Sequence, residues 1–404
     1  MKGSYLTNLT KIYLFKFFTG FHLFAGVLIL FFTDWGKITF TQIMILQSWY
    51  MFWIFVFEIP TGAIADYLGR KQSLILGSFA ILFGITSYTI TPNFYLFLLG
   101  EFFWALSAAL FSGADSALIY DTLKKYGREQ DSKKIMGRVE SIFLLSIAIS
   151  SPIGSIIAAK YDVRMPTLLM LIPFGLALIT ALTMEEPVFK QNTQKKKYSQ
   201  IVKTSVGILA KNRVLQILAA DMIFIQVVGY FMFWLQQPML KQAGVNIIYW
   251  GFSHVAFVMS QVIIMSNYTF LEKVFGCKKN VLFYTSLFGG FAYILGALNH
   301  SIAATLLSIY VIGGFLVSRK PLLINYMNKY IPSSERATVL STISMINSLV
   351  LAVVNPVFGY FAQTSLNTTL LVIGIATTIF AFTSRIKENH LLEASIEEAD
   401  LVNI

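Results

Sequence analysis

Long apolar runs separated by short polar stretches make up most of this chain. Each run is close to the roughly 20 residues that an α-helix needs to cross the hydrocarbon core of a bilayer. The pattern therefore predicts an all-α polytopic membrane protein with twelve transmembrane helices. The predicted spans are residues 12–32, 39–65, 72–91, 95–121, 139–160, 165–184, 214–236, 248–270, 280–298, 302–327, 337–361 and 367–384.

The longest polar stretch lies between the sixth and seventh spans and contains Lys195, Lys196 and Lys197. We interpret it as a solvated linker between two six-helix halves. The second part of this linker, residues 198–211, is either an amphipathic helix on the membrane surface or a flexible connector. The predicted divisions are an N-terminal bundle over 1–184, a cytoplasmic linker over 185–213, a C-terminal bundle over 214–386 and a cytoplasmic tail over 387–404.

The distribution of cations predicts which side of the membrane holds the termini. The 404 residues are 56% hydrophobic and 13% charged, with a net charge of +11. The cations lie in alternate loops, and the loops of the other set hold few of them. Because cytoplasmic loops carry the excess of Lys and Arg, both termini are predicted to be cytoplasmic. The net positive charge is thus explained by the Lys and Arg residues of cytoplasmic loops beside the lipid bilayer. Nucleic acid is therefore excluded as a partner. The sparse set contains Lys37, Lys160, Arg164 and Lys241.

Several classes of chemistry find no support in the sequence. The chain has no phosphate-binding GxxxxGK[ST] loop, no His-Glu-x-x-His pair and no Cys-x-x-Cys pair, so neither ATP-driven nor zinc chemistry is expected. The first apolar run is long enough to remain as a membrane anchor rather than to be cleaved as a signal peptide. We therefore expect no enzyme, no cofactor and no metal.

The loop between the second and third spans carries the most specific motif. It reads Gly62-Ala-Ile-Ala-Asp66-Tyr-Leu-Gly69-Arg70-Lys71. The pattern G-x-x-x-D-x-x-G-R-K resembles the signature of the major facilitator superfamily, and every fixed position is matched. The resemblance implies two related six-helix bundles that alternate between outward- and inward-open states. It also implies that Asp121, at the end of the fourth span, pairs with Arg70 as part of a cytoplasmic gate.

Internal spacing supports two halves of common origin. Pro152 and Pro356 lie in the fifth and eleventh spans, and both are followed closely by glycine. They are 204 residues apart (356 minus 152), as are Tyr126 and Tyr330, which close the fourth and tenth spans (330 minus 126). The halves are therefore predicted to form two pseudo-symmetric six-helix bundles.

Acids within the fourth span are candidates for the transport site. Glu101, Ala108 and Asp115 recur every seven residues, so a continuous helix would place them on one stripe beside Trp104. Because ionisable residues are costly in the bilayer, we interpret this stripe as a cavity wall, or else as a structural tie to a neighbouring helix. The 204-residue offset matches Asp115 to Arg319, and we hypothesise that the two face each other as a charge-linked gate. The alternative is that Arg319 extends toward the headgroups.

Further substrate or proton candidates lie in the second and seventh spans. Glu58 precedes Gly62 by one helical turn and is either a proton carrier or an anchor for the interface between the bundles. Asp221 lies in the seventh span, which corresponds to the first span with Lys16 and His22. Gln226 recurs with Tyr230 and Trp234 every four residues and forms either a polar aromatic surface for a substrate or core packing.

The resulting functional prediction is a secondary transporter of a small solute, working as a monomer in the cell membrane. Proton-coupled export of amphipathic or drug-like compounds is favoured by the acids, by the 15% aromatic content and by the resemblance to efflux-type members. The fourth span departs from the proton-relay arginine of drug antiporters, since Glu101 stands in its place. The alternative is uptake of a nutrient or anionic metabolite, with Arg319, Lys320 and Lys16 as ligands. A membrane receptor or enzyme is the more distant alternative.

Overall fold

A computed structural model of the chain describes residues 2–187, 206–333 and 335–392. The side chains of residues 2–6, 58–68 and 337 lie outside this description. Within the described residues every regular element is helical and no strand occurs. Eleven of the described helical segments are long and apolar enough to cross a membrane. The expected all-α membrane class therefore agrees with the structure.

The chain divides into two compact units. Unit 1 consists of Met1–Thr193, Val245–Val255 and Ser348–Gln363, and unit 2 of Gln194–Gly244, Ala256–Asn347 and Thr364–Ile404. Unit 1 therefore takes in two short segments from the second half of the sequence. The division of the sequence into bundles at residues 184 and 214 stays a prediction.

The described residues of the first half form nine α-helices, and two of the helix starts show how local capping sets them. Thr39 accepts a hydrogen bond from the backbone nitrogen of Gln42, and the Gln42 side chain accepts one from the Thr39 nitrogen, which together form a capping box. The Asn93 side chain caps the helix Phe94–Phe111 by accepting hydrogen bonds from the backbone nitrogens of Tyr95 and Leu96. The helices are α1 (Lys2–Thr19), α2 (Leu28–Leu30), α3 (Phe40–Leu68), α4 (Arg70–Ile90), α5 (Phe94–Phe111), α6 (Ala114–Lys125), α7 (Ser132–Lys160), α8 (Met165–Leu169) and α9 (Leu171–Thr183).

From Arg213 onward, the described residues form eight further α-helices. Asn212, Ser301 and Ser365 cap three of them through side-chain oxygens that accept backbone N–H bonds. Of the predicted linker helix over 198–211, residues 206–211 are helical and the remainder lies outside the described residues. The helices are α10 (Arg213–Gln242), α11 (Trp250–Ser266), α12 (Tyr268–Phe275), α13 (Lys278–Leu298), α14 (Ile302–Ile312), α15 (Arg319–Met327), α16 (Arg336–Thr364) and α17 (Leu366–Thr383).

Five predicted spans are interrupted, among them the sixth at Met170 and the eighth at Asn267. The first predicted span, 12–32, is not one continuous helix, because α1 ends at Thr19 and turns occupy the residues before α2. The fourth is broken at Gly113, whose φ of +73° favours glycine. The tenth contains a π-helical segment, Gly313–Val317, between α14 and α15. Such irregular helix segments occur frequently at functional sites.

Each unit has its own buried core. In unit 1, apolar residues of α1, α4, α6, α7 and α9 pack together around Phe15, Leu118 and Ala177. In unit 2, the ends of α10 and α15 pack with α16 around Leu215, Leu323 and Ile343. Large apolar side chains such as Phe83 and Ile172 remain 57% and 62% exposed. Exposed apolar surface of this kind is expected of helices that face lipid.

Candidate functional site

An ion pair joins the first and fourth spans inside unit 1. Lys16, near the end of α1, contacts the carboxylate of Asp115 in the first turn of α6. Asp115 also accepts a hydrogen bond from the backbone nitrogen of Ser116 at 2.6 Å. A carboxylate is favourable there because the first turn of a helix has unpaired N–H groups and a positive dipole end. The Lys16 and Asp115 side chains are 19% and 17% exposed, so the surrounding helices do not enclose the pair completely.

A second ion pair lies in unit 2 and is more deeply buried. Arg319 donates to Asp221 at 2.6 Å, and their side chains are 1% and 3% exposed. Arg319 also donates to the hydroxyl oxygen of Ser286. The other Asp221 oxygen accepts from Ser384 at 3.3 Å. Hydrogen bonds to the remaining lone pairs and protons are what a buried pair requires to offset its desolvation.

These pairs correct the predicted gate between Asp115 and Arg319. Each residue has its partner within its own unit, so the hypothesised pairing is wrong. The alternative, an Arg319 side chain reaching toward the headgroups, is also wrong because that side chain is 1% exposed. Both pairs occupy matching positions in the repeat, since Asp221 is 205 residues after Lys16 (221 minus 16) and Arg319 is 204 after Asp115 (319 minus 115). The charges are exchanged between the two halves.

Glu101 lies in a different environment from Asp115. It is 4% exposed, and the Gln47 side chain donates to its carboxylate at 2.8 Å. Tyr88 is a second hydrogen-bond partner. The break at Gly113 separates α5 from α6, so the expected continuous stripe from Glu101 to Asp115 does not form. Glu101 is therefore tied to α3 and α4 inside unit 1.

Aromatic rings near Glu101 pack mainly on one another. Trp104 contacts the rings of His22 and Phe24 at centroid distances of 5.8 and 5.6 Å, and it stacks on Tyr88. The Nε2–H of His22 donates to the carbonyl oxygen of Thr19 at 2.9 Å. Much of the aromatic content therefore serves packing within unit 1. That explanation weakens the inference of an amphipathic cargo from composition alone.

The loop that carries the motif has the geometry of a tight turn. Gly69 has a φ of +104°, which an L side chain adopts only with strain. The expected contact between Arg70 and Asp121 is present, with nitrogen and oxygen 4.0 Å apart. The side chains of Glu58, Gly62 and Asp66 lie outside the described residues. The gating role of the motif therefore stays a proposal.

The carboxylate of Glu186 holds this turn, and the sequence alone did not single it out. It accepts hydrogen bonds from the backbone nitrogens of Arg70 and Lys71 at 2.8 and 2.6 Å, at the start of α4. In unit 2, Glu388 does the same for the nitrogens at the start of α13, at 3.2 and 2.7 Å. Glu186 and Glu388 each follow the last helix of a half and lie about 200 residues apart (388 minus 186). The repeat in the sequence could therefore have indicated both acids.

The remaining candidates lie on α10. Trp234 is 3% exposed, and its ring lies 6.3 Å from that of Tyr230, so this aromatic pair is packed inside unit 2. Gln226 is half-buried one turn earlier. Its role as a substrate contact stays a proposal. Among the residues that the structure describes, no group of three acidic, His or Cys side chains could hold a metal ion.

Together, the apolar helices, the interrupted spans and the buried ion pairs define a multi-pass membrane protein of the transporter class. The model of the Major Facilitator Superfamily matches residues 12–353, and the chain belongs to that family. It is an MFS transporter, and the family and the all-α membrane fold expected from the motif are confirmed.

Two relatives match over part of the sequence. An uncharacterized MFS-type transporter of Methanocaldococcus jannaschii is 28% identical over 145 residues, which cover 35% of this chain and 36% of that protein. An uncharacterized transporter of Buchnera aphidicola subsp. Schizaphis graminum is 32% identical over 98 residues, or 24% of each chain. The matched region therefore spans about a third or less of these relatives.

Solved structures share the fold over nearly the whole chain. A mutant of the nucleoside transporter NupG has a TM-score of 0.80 at 12% identity, covering 93% of this chain and 98% of that one. A mutant of the peptide transporter POT scores 0.73 at 14% identity, covering 93% and 92%. A D-xylose-proton symporter scores 0.72 at 12% identity, covering 96% and 99%. At these identities the likeness shows the fold alone.

Proposed function

We propose that the protein is a secondary transporter that couples the movement of a small solute to a proton. The observation that carries this proposal is the ion pair between Lys16 and Asp115. It lies where the fourth span is broken, and both side chains are partly exposed. A proton that neutralises Asp115 removes its attraction for Lys16, so protonation changes the contact between α1 and α6. Discontinuous helices with polar groups are a common construction of transporter sites.

The proposal gives the four acids of the spans different roles. Asp115 is the proton carrier, because it is less enclosed than Asp221 and its partner is a cation that it can release. Asp221 is held by Arg319 away from solvent and fixes the packing of unit 2. Glu101 has the neutral side chain of Gln47 as its hydrogen-bond partner, and it binds either the proton or the solute. Glu58 stays a candidate for the proton or for anchoring.

The motif is proposed to act as a cytoplasmic clip. Gly69 and Glu186 fix the turn, and Arg70 approaches Asp121. Together with Gly62, Asp66 and Lys71, these residues would stabilise the outward-open state, and their separation would accompany inward opening. We further propose that both termini lie in the cytoplasm. The protein is a monomer in the plasma or inner membrane of the cell.

Two directions of transport follow from different observations. Export of amphipathic compounds follows from the composition and the efflux-type resemblance. Uptake of a polar nutrient is favoured by the polar partners of Glu101 and by the fold shared with nucleoside and peptide transporters and a D-xylose-proton symporter.

One reconstitution experiment separates these alternatives. Purified protein in liposomes is given a proton gradient of either polarity and tested with uridine, D-xylose, a dipeptide and tetraphenylphosphonium. Accumulation driven by external acid supports proton symport, whereas accumulation driven by internal acid supports exchange and export. Accumulation that ignores both gradients would refute proton coupling. Asp115→Asn should remove the dependence on the gradient, and Asp34→Asn, at an exposed acid, is the matched control.

A further inference from the structure

Asn355 is a buried amide in the part of α16 that packs within unit 1. The residue is 0% exposed, and neither its side-chain nitrogen nor its oxygen has a hydrogen-bond partner among the described residues. An asparagine amide offers two donor hydrogens and two acceptor lone pairs. A buried polar group with none of these satisfied is costly and calls for a physical explanation.

The surrounding contacts fix which helix Asn355 faces. The Gln363 side chain accepts a hydrogen bond from the backbone nitrogen of Thr41 at 3.0 Å. A Cβ at Gly359 would meet Met44 at 2.7 Å, so the two helix backbones are in close contact there. As the numbers rise along α3 they fall along α16, and the two segments are therefore antiparallel within unit 1.

This register places Asn355 opposite a polar turn of α3. Asn355 lies four residues before Gly359 and therefore shares its face toward α3. The same step along α3 leads from Met44 to Ser48, which adjoins Gln47. Gln47 already donates to Glu101 at 2.8 Å. Extended by one turn, this register puts the amide of Asn355 at the level of Gln47 and its partner Glu101.

Close packing of small residues joins the segment 245–255 to the rest of unit 1. A Cβ at Gly26 would lie 2.6 Å from the Cα of Gly251, so α11 and the turn after α1 touch through their backbones. Ser155 donates to the carbonyl oxygen of Ile248 at 2.9 Å. Because Asn355 is 0% exposed, a solute can contact its amide only after the segment 348–363 separates from its neighbours in unit 1.

We propose that Asn355 is a solute-binding residue that this movement exposes, together with the neighbouring Gln47 and Glu101. The ligand that suits a free amide is a neutral solute with a hydrogen-bond donor and an acceptor side by side, as on the edge of a carboxamide or a nucleobase. This inference rests on the proposed function as a solute transporter. It adds a residue that charge and motif did not indicate.

Cysteine labelling tests the exposure without any knowledge of the solute. Cys277 is the one cysteine of the chain, so Cys277→Ser gives a background free of thiols. In that background Asn355→Cys in proteoliposomes should react with a membrane-impermeant maleimide. The control is Val353→Cys, two residues earlier and 73% exposed on the apolar surface, which should stay unlabelled in lipid. Absence of reaction at Asn355→Cys, or equal reaction at both positions, would overturn the proposal.

A transport measurement tests binding with uridine as the probe. Asn355→Leu should raise the KM for uridine at least tenfold, and Asn355→Gln should raise it less, while melting temperatures stay at or above that of the native chain. Failure of the native chain to move any of the four probes would contradict the proposed function, and the labelling result would still be readable. Normal uridine transport by Asn355→Leu would instead show that the amide holds water only. That result would overturn the role of Asn355 and leave the proposed function as a transporter intact.

Discussion

The buried pair of Asp221 and Arg319 permits a quantitative test of the structure. In Asp221→Asn the guanidinium of Arg319 stays buried without its counter-charge. Removing one partner of a buried pair costs about 3–5 kcal/mol. With about 2.1 cal/mol/K of unfolding entropy per residue, a chain of 404 residues loses about 1.2 °C per kcal/mol. The melting temperature should therefore fall by about 4–6 °C.

The matched control is the equivalent pair in the other half. Lys16→Met leaves Asp115 in a partly exposed position, where solvent screens the loss. Exposed pairs contribute about 0–1 kcal/mol, so this variant should shift the melting temperature by less than about 2 °C. The double variant Asp221→Leu/Arg319→Met removes both charges and should be more stable than either single change, because no uncompensated charge remains.

Thermal denaturation of the detergent-solubilised protein, followed by tryptophan fluorescence, measures all four proteins. Equal losses for Asp221→Asn and Lys16→Met would contradict the difference in burial. A double variant less stable than Asp221→Asn would contradict the claim that the uncompensated charge of Arg319 causes the loss. Either result would refute the reasoning about desolvation.

Three further predictions concern the site and its supports. Asp115→Asn should abolish gradient-driven transport while changing the melting temperature little, as measured in proteoliposomes and by thermal denaturation. Glu186→Ala should speed hydrogen exchange of the first two amides of α4 by about 10- to 100-fold, since charged hydrogen bonds contribute about 1.5–3 kcal/mol, whereas Glu388→Ala should leave those amides unchanged. Gly154→Ala should lower the folded yield, because its Cβ would overlap the backbone of Leu23, whereas Gly137→Ala meets open space and should be tolerated.

The sequence by itself determined the membrane class, the repeat and the motif. Hydropathy is a property of neighbouring residues, so apolar runs of bilayer length identify spans without reference to the fold. The motif is equally local. The family to which it points matches the chain over residues 12–353. The repeat offset even aligned Asp115 with Arg319 at equivalent positions.

Only the tertiary structure decided which charges meet. Lys16 lies 99 residues before Asp115 (115 minus 16), and Arg319 lies 98 residues after Asp221. The break at Gly113 turned the expected stripe into two separate environments. An ion pair depends on the distance between side chains on different helices, and helix packing sets that distance. For the same reason, the unpaired amide of Asn355 and the carboxylate caps of Glu186 and Glu388 became visible only in three dimensions.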